Sequence, residues 1–450
     1  MKWKLALFVV LGVVFVSIFL INLNSVNASG EQWYNNSWQY RINITINNSK
    51  VLANLTDFPI YLNLSNLSSG FHSNVNSTGK DIRITTSDGA TEVPREVVFY
   101  NSTTDKGEVW FKGNISNVTE TIFYIYYGNP SASDYAVADT YGRNAVWSNG
   151  YVAVYHLNEA DIDGGSGDIK DSTFFSNNGT TQSMETADSV SAKIEQGVSL
   201  DGENEFVDLG KTSSLAITGA ITVSAWTRLN TASAINDIFT RDLSSSDRGW
   251  RMGNEADGTG FFYVASTATT RVQASSPVAA NSFVYWTGTY SPSTYVRLYY
   301  NGTLVNENTA SVPASQRLST VGTDLGSRGN GVLDSLNGTI DEARISNVTR
   351  TTEWIATEYN NQNSSATFYS VGESQPVSCT YISGNWAISC SDSCNITSNV
   401  NLGGNNVSIT GTGTTTITGN ITNFVKASVQ GTDSSNICTV RVLNGGGFKD

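Results

Sequence analysis

Two histidines, His72 and His156, four cysteines and a scatter of carboxylates are what this chain offers for acid–base, nucleophilic or metal chemistry. The histidines fall in different predicted domains. A histidine-based zinc centre or a Ser-His-Asp relay needs its groups to converge on one point, so neither is expected. His156 sits mid-strand beside Leu157, where a structural role is favoured over a catalytic one. Cys379, Cys390, Cys394 and Cys438 cluster at the C-terminal end with no base beside them in sequence. An even number in one cluster reads as two disulfides in an oxidising compartment, and three connectivities are open. Arg248-Gly249-Trp250-Arg251, close to Phe261-Phe262-Tyr263, is the best candidate for stacking on a sugar ring. Trp250, Arg251 and Tyr263 are therefore the expected ligand-binding residues. The competing reading places those aromatics in a sandwich core, because alternation alone does not say which of Phe261 and Phe262 faces out.

The elements that must position these residues are short strands. The 450 residues suggest two to four domains. Charged residues make up 14 % and aromatics 11 %, with Asn, Ser, Thr and Gly prominent, a composition of many strands and polar turns. A formal net charge of −13 argues against a nucleic-acid partner. Lys2 and Lys4, the apolar run Leu5 to Ile21 and the small-x-small site at Val26-Asn27-Ala28 read as an export signal over residues 1–28. An uncleaved anchor is the alternative and the only expected link to a membrane. Both readings place the rest outside the cell as a secreted or cell-surface protein. Numerous Asn-x-Ser/Thr sequons, among them Asn43, Asn114, Asn301 and Asn337, agree with a glycoprotein, although a polar composition makes many by chance.

Three blocks follow. Residues 33–130 carry period-two runs such as Arg41-Ile42-Asn43-Ile44-Thr45-Ile46 and Ile122-Phe123-Tyr124-Ile125-Tyr126, which predict a small β domain. Trp38 with Arg41, Asp57-Phe58-Pro59-Ile60, Lys80-Asp81-Ile82-Arg83-Ile84 and Tyr126-Tyr127-Gly128-Asn129 resemble a domain of unknown function that often precedes LamG-like modules in secreted microbial proteins. Residues 141–372 run from Val152-Ala153-Val154-Tyr155-His156 through Gly197-Val198-Ser199-Leu200-Asp201, Ile221-Thr222-Val223-Ser224-Ala225-Trp226 and Tyr285-Trp286-Thr287-Gly288. They close on Asn337-Gly338-Thr339-Ile340-Asp341-Glu342-Ala343-Arg344-Ile345, a short helix at Trp354 and the strand Phe368 to Val371. In order and spacing these resemble the strands of a LamG-like jelly roll of the concanavalin-type lectin and glucanase superfamily. Residues 376–450 repeat short β runs without a clean long period, as either a small disulfide-stapled solenoid or another small sandwich. The expected fold class is all-β and multi-domain.

The resemblance implies binding, to a glycan or a cell-surface protein, in an adhesion or envelope role; the alternatives are a purely structural envelope or filament component and a glycoside hydrolase of the same superfamily. It also implies a calcium site at Asp201 and Asp341. The competing reading is that Asp201 caps a glycine turn and Asp341 accepts local backbone hydrogen bonds. Asp161-x-Asp163-Gly164-Gly165-x-Gly167-Asp168 has calcium-like spacing but lacks a downstream bidentate Glu and reads as an acidic loop. The related glucanases set Glu-x-Asp-x-x-Glu on one strand so that period two aims all three carboxylates into the cleft. Here Glu159-Ala160-Asp161 has Gly164 where the last Glu belongs, and Asp341-Glu342 are adjacent, which in a regular strand puts them on opposite faces. No catalytic residue is expected. Ser246-Asp247-Arg248-Gly249-Trp250 partly resembles a sialidase Asp box, but Trp250 follows Gly249 without a spacer, so a hairpin turn is expected.

Overall fold

The computed structural model describes residues 33–449 except 36, 332, 382 and 433–436, so the expected export signal lies outside the described residues. No helix among the described residues is long and apolar enough to cross a membrane.

In the N-terminal domain the alternation of Tyr40–Ile46 turns Ile42, Ile44 and Ile46 inward. This strand pairs antiparallel with Thr121–Tyr127, Tyr40 opposite Tyr127 and Ile46 opposite Thr121. Across the core lies a second sheet of Leu55–Asn63, Lys106–Ile115 and Arg95–Asn101. The other edge of Tyr40–Ile46 is filled by Tyr369–Val371 and then Gln375–Pro376. A boundary drawn at residue 372 therefore separates a strand from the sheet it completes. The helix Thr352–Asn363 likewise packs on this domain, with Trp354 edge-on to Phe58 at 5.0 Å. Strand alternation records which side chains are buried but not against which neighbour, so the chain's return to its first domain has no local signature.

Between these segments lies a two-sheet sandwich. One sheet runs Thr303–Asn308, Tyr295–Tyr300, Phe283–Ser291, Ile221–Leu229, Asn337–Ser346, Gln196–Asp201, Ser189–Ser191, and Tyr151–Tyr155 also pairs with Asn337–Ser346. The other runs Arg271–Pro277, Thr259–Ala265, Trp250–Asn254, Asn236–Arg241, Asp324–Leu325, Phe206–Asp208, Thr180–Gln182. Val198, Leu200, Val223, Ala225, Trp250, Phe262, Trp286, Ile340 and Ile345 fill the space between. The outer face of the first sheet is buried as well: Trp226 donates from Nε1 to Gln362 at 2.7 Å, and Tyr285 from its hydroxyl to Ser224 at 3.1 Å.

The C-terminal block is a solenoid, which decides between the two sequence alternatives. All its strands pair in parallel: Trp386–Ser389, Val400–Thr410, Asn420–Gln430 and Gly447–Lys449 form one sheet, and Asn395–Ile396, Gly413–Ile417 and Cys438–Val442 the other. Trp386 stacks on Val407 and Val400 on Ile421, 21 positions apart in both cases. Asn385 and Asn399 hold the coils together, each accepting with Oδ1 from the backbone N–H one coil on, at 2.9 Å from Asn406 and 2.8 Å from Asn420. The next coil breaks the period: Gly413 pairs with Cys438 and Ile421 with Phe448, 25 and 27 positions on, which hides the repeat in the sequence. The disulfides are Cys379–Cys394 and Cys390–Cys438. Non-reducing proteolysis with mass spectrometry is expected to recover those two cross-links and neither other pairing. Serine at both Cys390 and Cys438 opens the longer loop and is expected to cost the solenoid about 4 kcal/mol on the chain-entropy scale, read by denaturant titration.

Candidate functional site

The residues singled out as a sugar platform are not exposed. Trp250 is 1 % exposed and packs edge-on to Phe239 inside the sandwich. Arg251 and Tyr263 lie on the opposite face of their sheet but are covered there. Arg251 Nε is paired with Asp237, and its guanidinium lies 4.8 Å from the Phe261 ring centre. Tyr263 is roofed by Arg271 at 4.7 Å and bonded by Arg248 Nη1 at 3.2 Å. The expectation of an open aromatic face there is corrected: cation–π contacts and a buried ion pair use up the surfaces a sugar would need. The turn before Trp250 is a hairpin turn anchored by Asp247. Its carboxylate accepts from Thr320 N at 3.0 Å and Ser319 Oγ at 3.1 Å and pairs with Arg317 Nη2 at 2.6 Å.

The calcium pair does not fit a shared ion. Asp201 pairs with Asn337, and Asp341 lies four residues farther along that strand, a separation of about 13 Å at 3.3 Å per residue. Each does a local job. Asp201 Oδ1 accepts from Glu203 N at 2.7 Å across the Gly202 turn, and Asp341 Oδ2 accepts from Ile194 N at 2.7 Å. His72 is also elsewhere, with Nδ1 3.0 Å from the Tyr100 hydroxyl.

What the structure does bring together is a buried polar cluster between the two domains. On the closing strand Trp226 pairs with Asp341 but Ser224 with Arg344, so Glu342 and Ala343 share one partner position. Glu342 takes a positive φ of 51° at this bulge. The extra residue breaks the alternation: Asp341 and Glu342 both turn to the outer face while Ala343 and Ile345 stay in the core, against the expectation of opposite faces. Facing them are Glu96 and Glu108 from the N-terminal domain, and His156 one residue beyond Tyr151–Tyr155. His156 Nδ1 lies 2.6 Å from Glu342 Oε1 and 3.2 Å from Glu108 Oε1, and Nε2 lies 3.3 Å from Glu96 Oε2. Glu96 also accepts from Trp147 Nε1 and Ser172 Oγ, both at 2.7 Å, and Glu108 from Trp110 Nε1 at 2.7 Å. Arg344 pairs with Glu342 and Glu358, its guanidinium 4.4 Å from Trp110 and 5.0 Å from Trp147.

Burial opposes charge on His156, but Glu342, Glu96 and Glu108 outweigh it and push the imidazole pKa well above its usual value. Burial likewise works against Glu342, yet His156 and Arg344 pull it down to about 2. Glu108 is pushed up to about 7 by burial and the neighbouring Glu342, and burial with Glu342 holds Asp341 well above the carboxylate range. Glu108, His156 and Glu342 could hold a metal ion, their ligand atoms lying within 4.8 Å of one another. His156 lies one residue past the end of Tyr151–Tyr155 and not mid-strand; Glu342 was expected on the face opposite Asp341, and Glu96 and Glu108 were not singled out from the sequence. A carboxylate inside an apolar run, as in Glu108-Val109-Trp110-Phe111, was the one signal that it is buried and paired.

Beside the cluster a cleft of about 350 Å³ opens to solvent, lined among others by Arg95, Tyr135, Arg143, His156, Asn158 and Glu159. Its volume is in the range of small-molecule sites. Glu159 accepts from Lys170 N at 2.8 Å with Oε1, but its Oε2 and Arg143 Nε are buried without a hydrogen-bond partner.

The fold explains the match with known proteins. Residues 201–356 match the family described as the concanavalin A-like lectin/glucanases superfamily. The middle of the chain is a concanavalin A-like jelly roll. Residues 78–143 match the domain of unknown function DUF2341, which places the cleft where that domain meets the jelly roll. No curated protein matches the chain. Among solved structures, the binding domain of Paraclostridial Mosquitocidal Protein 1 is similar at 14 % identity and TM-score 0.37, over 47 % of this chain and 52 % of that one. The receptor binding domain of botulinum neurotoxin C/D mosaic serotype aligns at 14 % and 0.37, over 48 % and 52 %. The botulinum neurotoxin serotype D ligand binding domain in complex with N-acetylneuraminic acid aligns at 13 % and 0.36, over 49 % and 53 %. The chain thus spans about half the length of these structures, and likeness at that level transfers neither sites nor ligands.

Two measurements check these assignments. Arg344→Leu leaves Glu342 and Glu358 buried without their cation and is expected to destabilise the protein by about 3–5 kcal/mol in denaturant titration. The Asp247 carboxyl is held down to about 2, against 3.8, because its hydrogen bonds and Arg317 outweigh the opposing burial. Its contribution is therefore present above pH 3.8 and is lost as pH falls towards 2. The melting-temperature gap between wild type and Asp247→Asn is expected to narrow over that window and stay constant above it.

Proposed function

We propose that this chain is an exported, non-catalytic binding protein of the cell surface or its surroundings, which takes a glycan in the cleft between the DUF2341 domain and the jelly roll. The observation that carries this reading is the pair of unsatisfied groups in that cleft, a donor at Arg143 Nε and an acceptor at Glu159 Oε2. Buried polar atoms without partners are costly, and a hydroxyl-rich ligand supplies both a donor and an acceptor. Tyr135 adds an aromatic edge and Asn158 an amide to the same wall, the mixture a sugar ring requires. The net charge of −13 supports a non-nucleic-acid partner. The basic, apolar and small-residue order of positions 1–28 and the paired cysteines support export.

One observation favours a second reading, glycoside hydrolysis: Glu96 and Glu159 line one cleft, and burial raises Glu159 as a general acid requires. The hydrogen bonds argue against it. Glu96 engages both oxygens, Oε2 with Trp147 and His156 and Oε1 with Ser172, the bonding of a structural acceptor.

The test is a glycan array probed with the full chain. Retention of a defined glycan class is expected, with affinity reduced at least about tenfold by Glu159→Gln and by Arg143→Ala, at unchanged melting temperature. Reducing-sugar release from the retained glycan should stay at background. Binding indifferent to both substitutions, or no retention, overturns the cleft; release abolished by Glu159→Gln transfers the protein to the hydrolases.

A further inference from the structure

The interdomain cluster has more acceptors than protons to give them. An imidazolium has two N–H groups, one on each ring nitrogen. Nε2 serves Glu96, so a single Nδ1 proton faces both Glu342 Oε1 at 2.6 Å and Glu108 Oε1 at 3.2 Å. Glu108 Oε2 has no hydrogen-bond partner although Glu108 is 0 % exposed. A bare carboxylate oxygen in a dry interior is rare and calls for a ligand.

The surroundings of these three groups are those of outer-shell partners. Ligating histidines usually give their second ring N–H to a carboxylate, and ligating carboxylates are themselves hydrogen-bonded on the other oxygen. Glu96 takes Nε2 of His156, Arg344 holds Glu342 Oε2, and Trp110 Nε1 holds Glu108 Oε1 at 2.7 Å. That leaves Nδ1 of His156, Oε1 of Glu342 and a carboxylate oxygen of Glu108, whose Oε2 is unpartnered, as a set from two domains with ligand atoms within 4.8 Å of one another. Metal bonds of about 2.0–2.1 Å at tetrahedral angles set ligand atoms about 3.3 Å apart, so Nδ1 of His156 and Oε1 of Glu342, now 2.6 Å apart, open by about 0.7 Å to admit an ion.

We propose that Glu108, His156 and Glu342 bind one divalent cation of the zinc-like class, which ties the N-terminal domain to the jelly roll. One nitrogen and two carboxylate oxygens suit zinc or manganese. Calcium, which wants six to eight oxygens, does not fit a site with an imidazole and so few ligands. His156 and Glu96 also line the cleft, which gives the ion a way in. The assignment is independent of the glycan reading: the cation sits behind the cleft wall and needs no ligand in front of it.

The experiment uses the full chain without a histidine tag, purified from zinc-supplemented culture. A second batch is refolded with its disulfides intact, in EDTA and in zinc, manganese or calcium. Metal per chain is counted by elemental analysis after desalting, and the melting temperature is recorded. One equivalent of zinc or manganese, a melting temperature several degrees above the EDTA sample and no response to calcium are expected. Cobalt is expected to give visible d–d absorption that Glu108→Gln loses, while that variant keeps a cooperative melt. The chain has two histidines, so His72→Asn is the control that must keep the ion. Wild-type protein that takes up no more than a trace of any of these ions and melts alike with and without EDTA overturns the assignment. So does uptake that survives both Glu108→Gln and His156→Asn.

Discussion

Strand Asn337–Ser346 is hydrogen-bonded along both edges, to Ile221–Leu229 on one side and to Gln196–Asp201 and Tyr151–Tyr155 on the other. At Glu342 it carries one residue more than its neighbour. A regular strand here would have sent Glu342 into the apolar core beside Ile340, where an ionised carboxylate could not be tolerated, and turned Ala343 and Ile345 out of it. The bulge keeps Ile340, Ala343 and Ile345 in register with that core and turns two consecutive carboxylates outward. The cluster of His156, Glu96, Glu108 and Arg344 is arranged around this one irregularity.

Because the outer face of that sheet is covered, its polar groups must find partners in the covering domain. Arg344 lies over both Trp110 and Trp147, His156 sits among three glutamates, and Trp226 reaches Gln362. Buried ion pairs of this kind add little net stability, since desolvation offsets most of the attraction, but each partner becomes costly to remove. Their effect is geometric. A DUF2341 domain rotated or slid on this face would leave several charges unpaired at once, so the contact has one arrangement and the cleft beside it one shape. Strand Tyr369–Val371 adds backbone bonds to the same end: the chain leaves the jelly roll only to complete the sheet in which it began.

The solenoid is held together differently. Each coil buries a thin apolar strip, Ile388, Val407 and Ile409 on one wall and Ile396 and Ile417 on the other. So small a core needs cross-links, and the two disulfides supply them. Cys390 reaches over a full coil to Cys438, while Cys379 closes the first coil on Cys394.

The all-β class, the jelly roll's strand sequence and the expected pairing of the four cysteines into disulfides were legible in the chain, because period-two alternation and residue type are local properties. Arg41-Ile42-Asn43-Ile44 announces a strand whatever it packs on. The binding face was not legible. Trp250 and Tyr263 have the right chemistry for a sugar, and only the third dimension shows one in the core and the other under Arg271. Conversely, nothing near Glu108 in sequence points to His156 or Glu342, since the three lie in distant segments of two domains. The sequence by itself determined which segments are strands and which faces are apolar. The tertiary structure decided which polar residues meet, because a bulge of one residue and a strand returned to a distant sheet change partners without changing the pattern.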